Sequence, residues 1–250
     1  MKITALVAAL VASLSLSVSA IAQPVLKVGS TPTGSPFTFL DTKTNSVDGV
    51  MVDIVKAVGK EAGFGVQIEP MQFSTLIASL TSKRIDLIAA AMFITPVRQE
   101  VVDFSQPIYS YGEGLVMSTK DLTAYQSFAE LKGKRIGVQV GTAFVEPLQK
   151  LGLFSEVKLY DTTADLMRDA NAGRIDVGVL DYPIAAFAVA KGLFPNLRMV
   201  SSYKPTMVNS IGIAAHKGDA ETLAKVNAAL TKLKADGSLA AILKKWGLGA

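Results

Sequence analysis

The chain has no cysteine, one histidine and one tryptophan among 250 residues. Without thiols it can form no disulfide, no thiolate metal site and no cysteine nucleophile, and it has no cysteine for lipid attachment behind an export signal. The single His216, in "AAHKGD", reads as a surface residue in a strand-end turn. No Ser-His-Asp arrangement, no H-E-x-x-H and no phosphate loop can be assembled, and nothing calls for a cofactor or a metal. Repeats, low-complexity tracts and large basic or aromatic stripes are missing too, so an adhesin or other interaction protein has no support. The net charge of +4 and pI near 9.1 come from lysines and arginines scattered among acids. That is a solvated mixed surface and not a nucleic-acid footprint.

One long apolar run is present, at the start. Lys2 precedes the stretch from Ile3 to Leu16, and small residues follow, ending in Ala20-Ile21-Ala22. This order is that of a secretory signal peptide over residues 1–22, with Gln23 as the first mature residue. The apolar core is short for a membrane anchor and is broken by serines. Together with the missing cysteine, this implies a free exported protein, most simply in the periplasm of a two-membrane bacterium. The rest of the chain suffices for one large domain or two small ones.

After residue 22 short apolar runs alternate with helical patterns. "VLKVGS" reads as a strand, and "GVMVDIVKAVGKEAG" puts Val50, Ile54, Val55, Val58 and Ala62 on one helical face. "GVQIEP" is a strand, "STLIASLTSK" a helix with Ser74 as N-cap, and "RIDLIAAAM" a buried strand. After "YGEGLVMSTK" the pattern restarts. "SFAELKG" offers a capping box from Ser127 to Glu130, and "KRIGVQVGT" is a strand leading into "AFVEPLQKLG". "VKLYD", "TADLMRDANAG" and "RIDVGVLD" continue as strand, helix and strand. "TSKRIDLIAAAM" echoes "NAGRIDVGVLD", and "LKVGST" echoes "KRIGVQVGT". Two similar α/β lobes with parallel sheets follow, with ligand groups beyond the carboxyl ends of the strands.

Three features there point to anions and cations. In "ITPVRQ", Thr95 caps, Pro96 takes the first helical position and Arg98 falls in the first turn, where a cation opposes the helix dipole unless an anion compensates it. Read from spacing alone, an ion pair with Glu100 or Asp103 is the simpler use. In "VGTAFVE" a strand passes through Gly141 into Thr142 at a helix start, so N–H groups around Ala143 face outward for an anion. Asp181 ends "RIDVGVLD", where it serves equally as N-cap of "PIAAFAVAKG".

From about Val25 onward the chain resembles the family-3 solute-binding proteins, the periplasmic receptors of polar amino acid ABC importers. The matching runs include "DGVMVDIVKAVG", "FSTLIASLTSKRIDLIAAAMFITPVRQEVVDFSQPIY", "LKGKRIGVQVGT", "GRIDVGVLDYPIAA" and "LKADGSLAAILKKWG". The resemblance implies an α/β periplasmic-binding-protein fold: lobe 1 from 23–112 and 206–250, lobe 2 from 117–201, and hinge segments at 113–116 and 202–205. It implies a monomer that closes around its ligand and delivers it to an inner-membrane permease. Arg98 then matches the fork that holds the α-carboxylate, the Thr142 and Ala143 amides its second anion site, and Asp181 the partner of the α-ammonium. The carbonyl of Ala91 accepts from the same ammonium. Phe73 packs on the ligand's side chain or, more plainly, in the core, and Gln139 and Glu113 add polar contacts. Three departures stand out: Phe93 replaces a serine or threonine, Gly34 an aromatic, and Thr31 an acid used for cationic side chains. They imply a neutral or partly apolar amino acid, or another carboxylate. The alternative is a cleft enzyme of the same fold resembling cyclohexadienyl dehydratase, with Asp181 or Glu113 as acid or base.

Overall fold

The computed structural model describes residues 23–249; the expected signal peptide over 1–22 lies outside the described residues. In chain order, β1 (Val25–Ser30) is followed by a small antiparallel sheet of β2 (Thr33–Gly34), β3 (Thr38–Asp41) and β4 (Ser46–Asp48). Next come α1 (Val50–Ala62), β5 (Gly65–Pro70), α2 (Leu76–Thr81), β6 (Leu87–Ile88), the one-turn α3 (Pro96–Gln99), β7 (Val102–Phe104) and β8 (Tyr109–Tyr111). The middle of the chain holds β9 (Glu113–Ser118), β10 (Arg135–Gln139), α4 (Val145–Leu151), β11 (Glu156–Tyr160), α5 (Thr163–Asn171), β12 (Val177–Asp181), α6 (Tyr182–Ala190) and β13 (Leu197–Met199). It ends with β14 (Asn209–Ile211), β15 (Ala214–His216), α7 (Ala220–Ala235) and α8 (Ser238–Lys245).

The strands form two five-stranded sheets of the same plan. The first runs β5-β1-β6-β15-β7 and the second β11-β10-β12-β9-β13. In each, a central strand pairs in parallel with two neighbours, and an antiparallel strand follows on one side. The echoes in the sequence mark this duplication: β1 corresponds to β10 and β6 to β12. The expected parallel sheets are therefore mixed, because a strand from the other end of the first lobe, β15, and the strand that enters the second, β9, each add antiparallel.

Helix α1 forms as its spacing dictates: Val50, Ile54, Val55 and Val58 are fully buried against the first sheet, and Gly63 ends it in the left-handed conformation at φ 79°. Other elements differ from expectation. The strand expected over "RIDLIAAAM" keeps only Leu87 and Ile88 in the ladder, since Ala91 turns to φ 53° and takes the chain out of the sheet. Ser74 caps nothing; it lies inside a 3-10 turn, Phe73–Thr75, that precedes α2. The capping box forms in part only. Ser127 makes no capping bond, and Glu130 accepts instead from the Gln126 N–H at 2.9 Å.

Between the sheets runs a two-stranded ribbon of β8 with β14. Residues 113–116, expected as the first crossing, are already paired within the second sheet. Where the two crossing segments touch, a Cβ on Gly112 would sit 2.4 Å from the Cβ of Pro205, so this position requires glycine. Glu113, with no exposed surface, ties the segments together. Its carboxylate accepts from the Tyr203 hydroxyl, from the Thr206 N–H (2.7 Å) and hydroxyl (2.9 Å), and from the Met207 N–H (2.9 Å). The Glu113 side chain is thus a bracket between the crossings. Among the described residues no helix is long and apolar enough to cross a membrane.

Candidate functional site

The carboxyl ends of the parallel strands meet between the two sheets, as the strand directions require. Thr31 follows β1, Phe73 follows β5, Ala91 follows β6, Gln139 ends β10 and Asp181 ends β12. All of them, with Arg98, line two small cavities of about 20 and 10 Å³ that share Phe73, Ala91 and Asp181. Larger grooves of about 320 and 270 Å³ run along the outside of α6, but no charged residue lines them. Each inner cavity has room for about one water. A molecule the size of an amino acid therefore enters only if the sheets move apart.

Arg98 is placed by local chemistry. Thr95 caps α3 through its hydroxyl, which accepts from the Arg98 N–H at 3.4 Å, and Pro96 opens the helix. The side chain turns inward to 8% exposure. It pairs with neither Glu100 nor Asp103; Asp103 holds Lys217 at 2.8 Å. The Arg98 fork donates from Nη1 to the Phe93 carbonyl (2.8 Å) and from Nη2 to the Gly141 carbonyl across the cleft (2.9 Å). Its guanidinium carbon lies 5.7 Å from the centre of the Phe73 ring. Burial lowers its pKa to about 10 against the opposing pull of Asp181 and Tyr111, so it stays charged at neutral pH.

Asp181 sits at the N-cap position of α6 yet makes no capping bond, so its carboxyl is left for the cleft. Enclosure by protein raises its pKa to about 7, partly offset by the Tyr111 hydroxyl and the Arg98 charge. Tyr111 is a site residue that the sequence reading missed. Its hydroxyl donates to the Ala91 carbonyl at 3.1 Å, and burial, with the Asp181 carboxyl beside it, raises its pKa well above the phenol range. The Ala91 oxygen expected to meet an ammonium thus already accepts one bond and keeps one lone pair. The one available signal was position, since "YSYGE" flanks the crossing.

The remaining expected residues divide. Thr142 spends its N–H (3.3 Å) and hydroxyl (2.8 Å) on the Gln139 carbonyl, while Ala143 lines the 10 Å³ cavity beside it. Gln139 donates to the Asp161 carbonyl at 3.0 Å, which pins its amide within the second sheet's side. Phe93, 4% exposed, packs between Tyr111 (ring centres 4.8 Å apart) and Phe144 of the opposite side (5.5 Å, edge-on), so it bridges the cleft. Glu113, held by its four donors, does not reach the cavities. Gly141 has φ 80°, and a Cβ there would approach Ser74 Cα to 2.9 Å, so glycine lets the two sides touch. The Thr163 hydroxyl also crosses, donating to the Thr33 carbonyl.

The sequence that folds into two sheets of one plan, with a buried arginine facing a half-buried aspartate, matches a known family profile over residues 26–249: bacterial extracellular solute-binding proteins, family 3. The chain belongs to that family. Within it, the chain is 30% identical over 229 residues to the arginine-binding extracellular protein ArtP of Bacillus subtilis (strain 168), covering 90% of this chain and 86% of ArtP. It superposes on an ancestral arginine-binding protein bound to glutamine with a TM-score of 0.84 at 33% identity, covering 90% of this chain and 99% of the other. The ancestral amino acid-binding protein AncCDT-1, a precursor of cyclohexadienyl dehydratase, superposes with a TM-score of 0.80 at 29% identity over 89% and 95% of the two chains. All three are named as binding proteins, and one of them also as a precursor of cyclohexadienyl dehydratase.

Proposed function

We propose that this family-3 protein is the extracytoplasmic receptor of an ABC importer and captures a small amino acid or related carboxylate in the cleft by hinge closure. The observation that carries the reading is that Arg98 and Asp181 line one cavity from opposite sheets. A zwitterion bridges them: the Arg98 fork takes the carboxylate and Asp181 the ammonium, so a molecule with both charges gains most when the sides meet. The lobes are 23–112 with 206–250 and 117–201, and the β8–β14 ribbon is the bending element. Closure makes the Arg98 to Gly141 and Thr163 to Thr33 contacts, and the closed form is what an inner-membrane permease engages. On this reading residues 1–22 are a cleaved export signal and the receptor works in the periplasm.

The enzyme reading draws on Asp181, whose pKa of about 7 suits a general acid, and on the AncCDT-1 likeness. Its second candidate acid, Glu113, is held by four donors at the crossings and lines neither inner cavity. The test is thermal unfolding of residues 23–250 against amino acids, opines, hydroxy acids and aromatic carboxylates. Ligand at a hundred times its Kd adds about 2.7 kcal/mol, a shift of several degrees. A shift with amino acids and no turnover of arogenate-like or prephenate-like acids is the expected result. A shift confined to carboxylates without an ammonium removes Asp181 from its role, and turnover establishes the enzyme.

A further inference from the structure

The cleft holds two charges and two unused hydroxyls. Among the described residues, Arg98 and Asp181 are the only ionisable ones that line the two inner cavities. On the reading above, both are consumed by the ligand's carboxylate and ammonium. A third charge on the ligand would be buried without a partner, at a cost of several kcal/mol. The ligand's distal group is therefore uncharged.

The hydroxyls say what else it is. Among the described residues, Thr31 Oγ1 and Thr33 Oγ1 are the buried side-chain polar atoms that make no hydrogen bond. Both residues line the larger inner cavity, with Asp181 and Gln139 on the opposite side, and Thr31 is 6% exposed. Buried polar atoms are nearly always paired, and an orphan costs about 1–3 kcal/mol. Two neighbouring orphans on one wall, in the segment "STPTGSP" that follows β1, are groups set to meet a ligand atom. An apolar ligand end would seal them off unpaired, whereas an amide or hydroxyl would satisfy them. On the opposite side the Gln139 amide nitrogen is already held by the Asp161 carbonyl.

We infer that Thr31 and Thr33 form the specificity end of the site and select an amino acid whose side chain is neutral and hydrogen-bonding, an amide or an alcohol. This inference rests on the receptor reading and is separable from it. The test is calorimetric titration with L-glutamine, L-asparagine, L-serine and L-threonine against L-leucine, L-methionine and L-arginine, on the natural chain and on the double variant Thr31→Val/Thr33→Val. Valine keeps the shape and removes the hydroxyls. At least one of the four polar amino acids should bind more tightly than leucine, methionine and arginine. The double variant should lose that ligand about five- to tenfold while gaining leucine or methionine. Its unfolding temperature without ligand should equal or exceed that of the natural chain, because two orphans have gone. Preference for leucine, methionine or arginine, or a preference unchanged in the variant, overturns the inference and leaves the receptor reading standing. No binding of any of the seven overturns the inference, while the receptor reading is decided by the wider panel above.

Discussion

If Asp181 is the partner of a ligand ammonium, binding depends on pH in a calculable way. The pKa of Asp181 is about 7, raised first by burial. The ammonium can pair only with the ionised carboxylate, so binding below that pH first expels a proton. Affinity then falls tenfold per pH unit below 7 and is flat above it. Between pH 8 and pH 5 the loss is about 90-fold, or roughly 2.7 kcal/mol. Arg98, whose pKa is about 10, keeps its charge over this range, as do the ligand's ammonium and carboxylate. Calorimetry at pH 5, 6, 7 and 8 with the tightest amino acid of the panel measures this. Repeating it at pH 6 in buffers of different ionisation enthalpy should show release of about 0.9 proton per ligand. Asp181→Asn should bind weakly at every pH and lose the slope. The stability of the unliganded protein carries the opposite sign. Because the folded-state pKa lies above the unfolded one, the folded chain holds an extra proton between about pH 4 and 7 and loses stability as pH rises through that window. Asp181→Asn should accordingly unfold later than the natural chain at pH 8, with the gap shrinking toward pH 4. A flat affinity from pH 5 to 8, or one that rises on acidification, refutes the assignment.

Other perturbations test other parts. Arg98→Ala should cost about 2–5 kcal/mol of binding free energy by calorimetry, and Arg98→Lys should restore little of it because the planar fork is lost. Glu113→Ala leaves the Tyr203, Thr206 and Met207 donors without an acceptor; at about 1–3 kcal/mol for each buried group left unpaired, urea unfolding should shift by at least about 3 kcal/mol, and an unchanged midpoint would remove the bracket. Gly141→Ala puts a methyl 2.9 Å from Ser74 Cα at a backbone φ of 80°, so affinity should drop about tenfold or more while the far-ultraviolet dichroism stays the same. Trp246, the sole tryptophan, packs edge-on to Phe39 and lines the groove against α6 of the other lobe. Its emission should change when ligand closes the cleft, and an unaltered spectrum under saturating ligand would argue against closure.

The parts legible in the sequence were those with a local cause. The period of α1, the Thr95-Pro96 start of α3 and the repeated Ile-Asp turn before β6 and β12 are short-range patterns, and they located the sheets and most of the residues at their ends. What stayed hidden depends on distant partners. Glu113 looked like a cleft acid because nothing near it in sequence reveals Tyr203, Thr206 and Met207, about ninety residues on. β6 looked long because alanines do not disclose that one of them turns left-handed. Thr33 gave no signal at all; its role follows only from being buried beside Thr31 without a partner. Phe93 was visible as a departure from its family, but its packing on Phe144 across the cleft was not, since that contact exists only when the two sides meet.

The central claim is that Arg98 and Asp181 hold the two ends of one zwitterion. Calorimetric double cycles pair each residue with each ligand group: the natural chain, Arg98→Ala and Asp181→Asn against the preferred amino acid, its des-amino acid and its decarboxylated amine. The account expects Arg98→Ala to be nearly silent toward the amine and Asp181→Asn nearly silent toward the des-amino acid, each giving a coupling of about 2 kcal/mol or more with its own group. Additive losses, with each substitution weakening all three ligands alike, would contradict it.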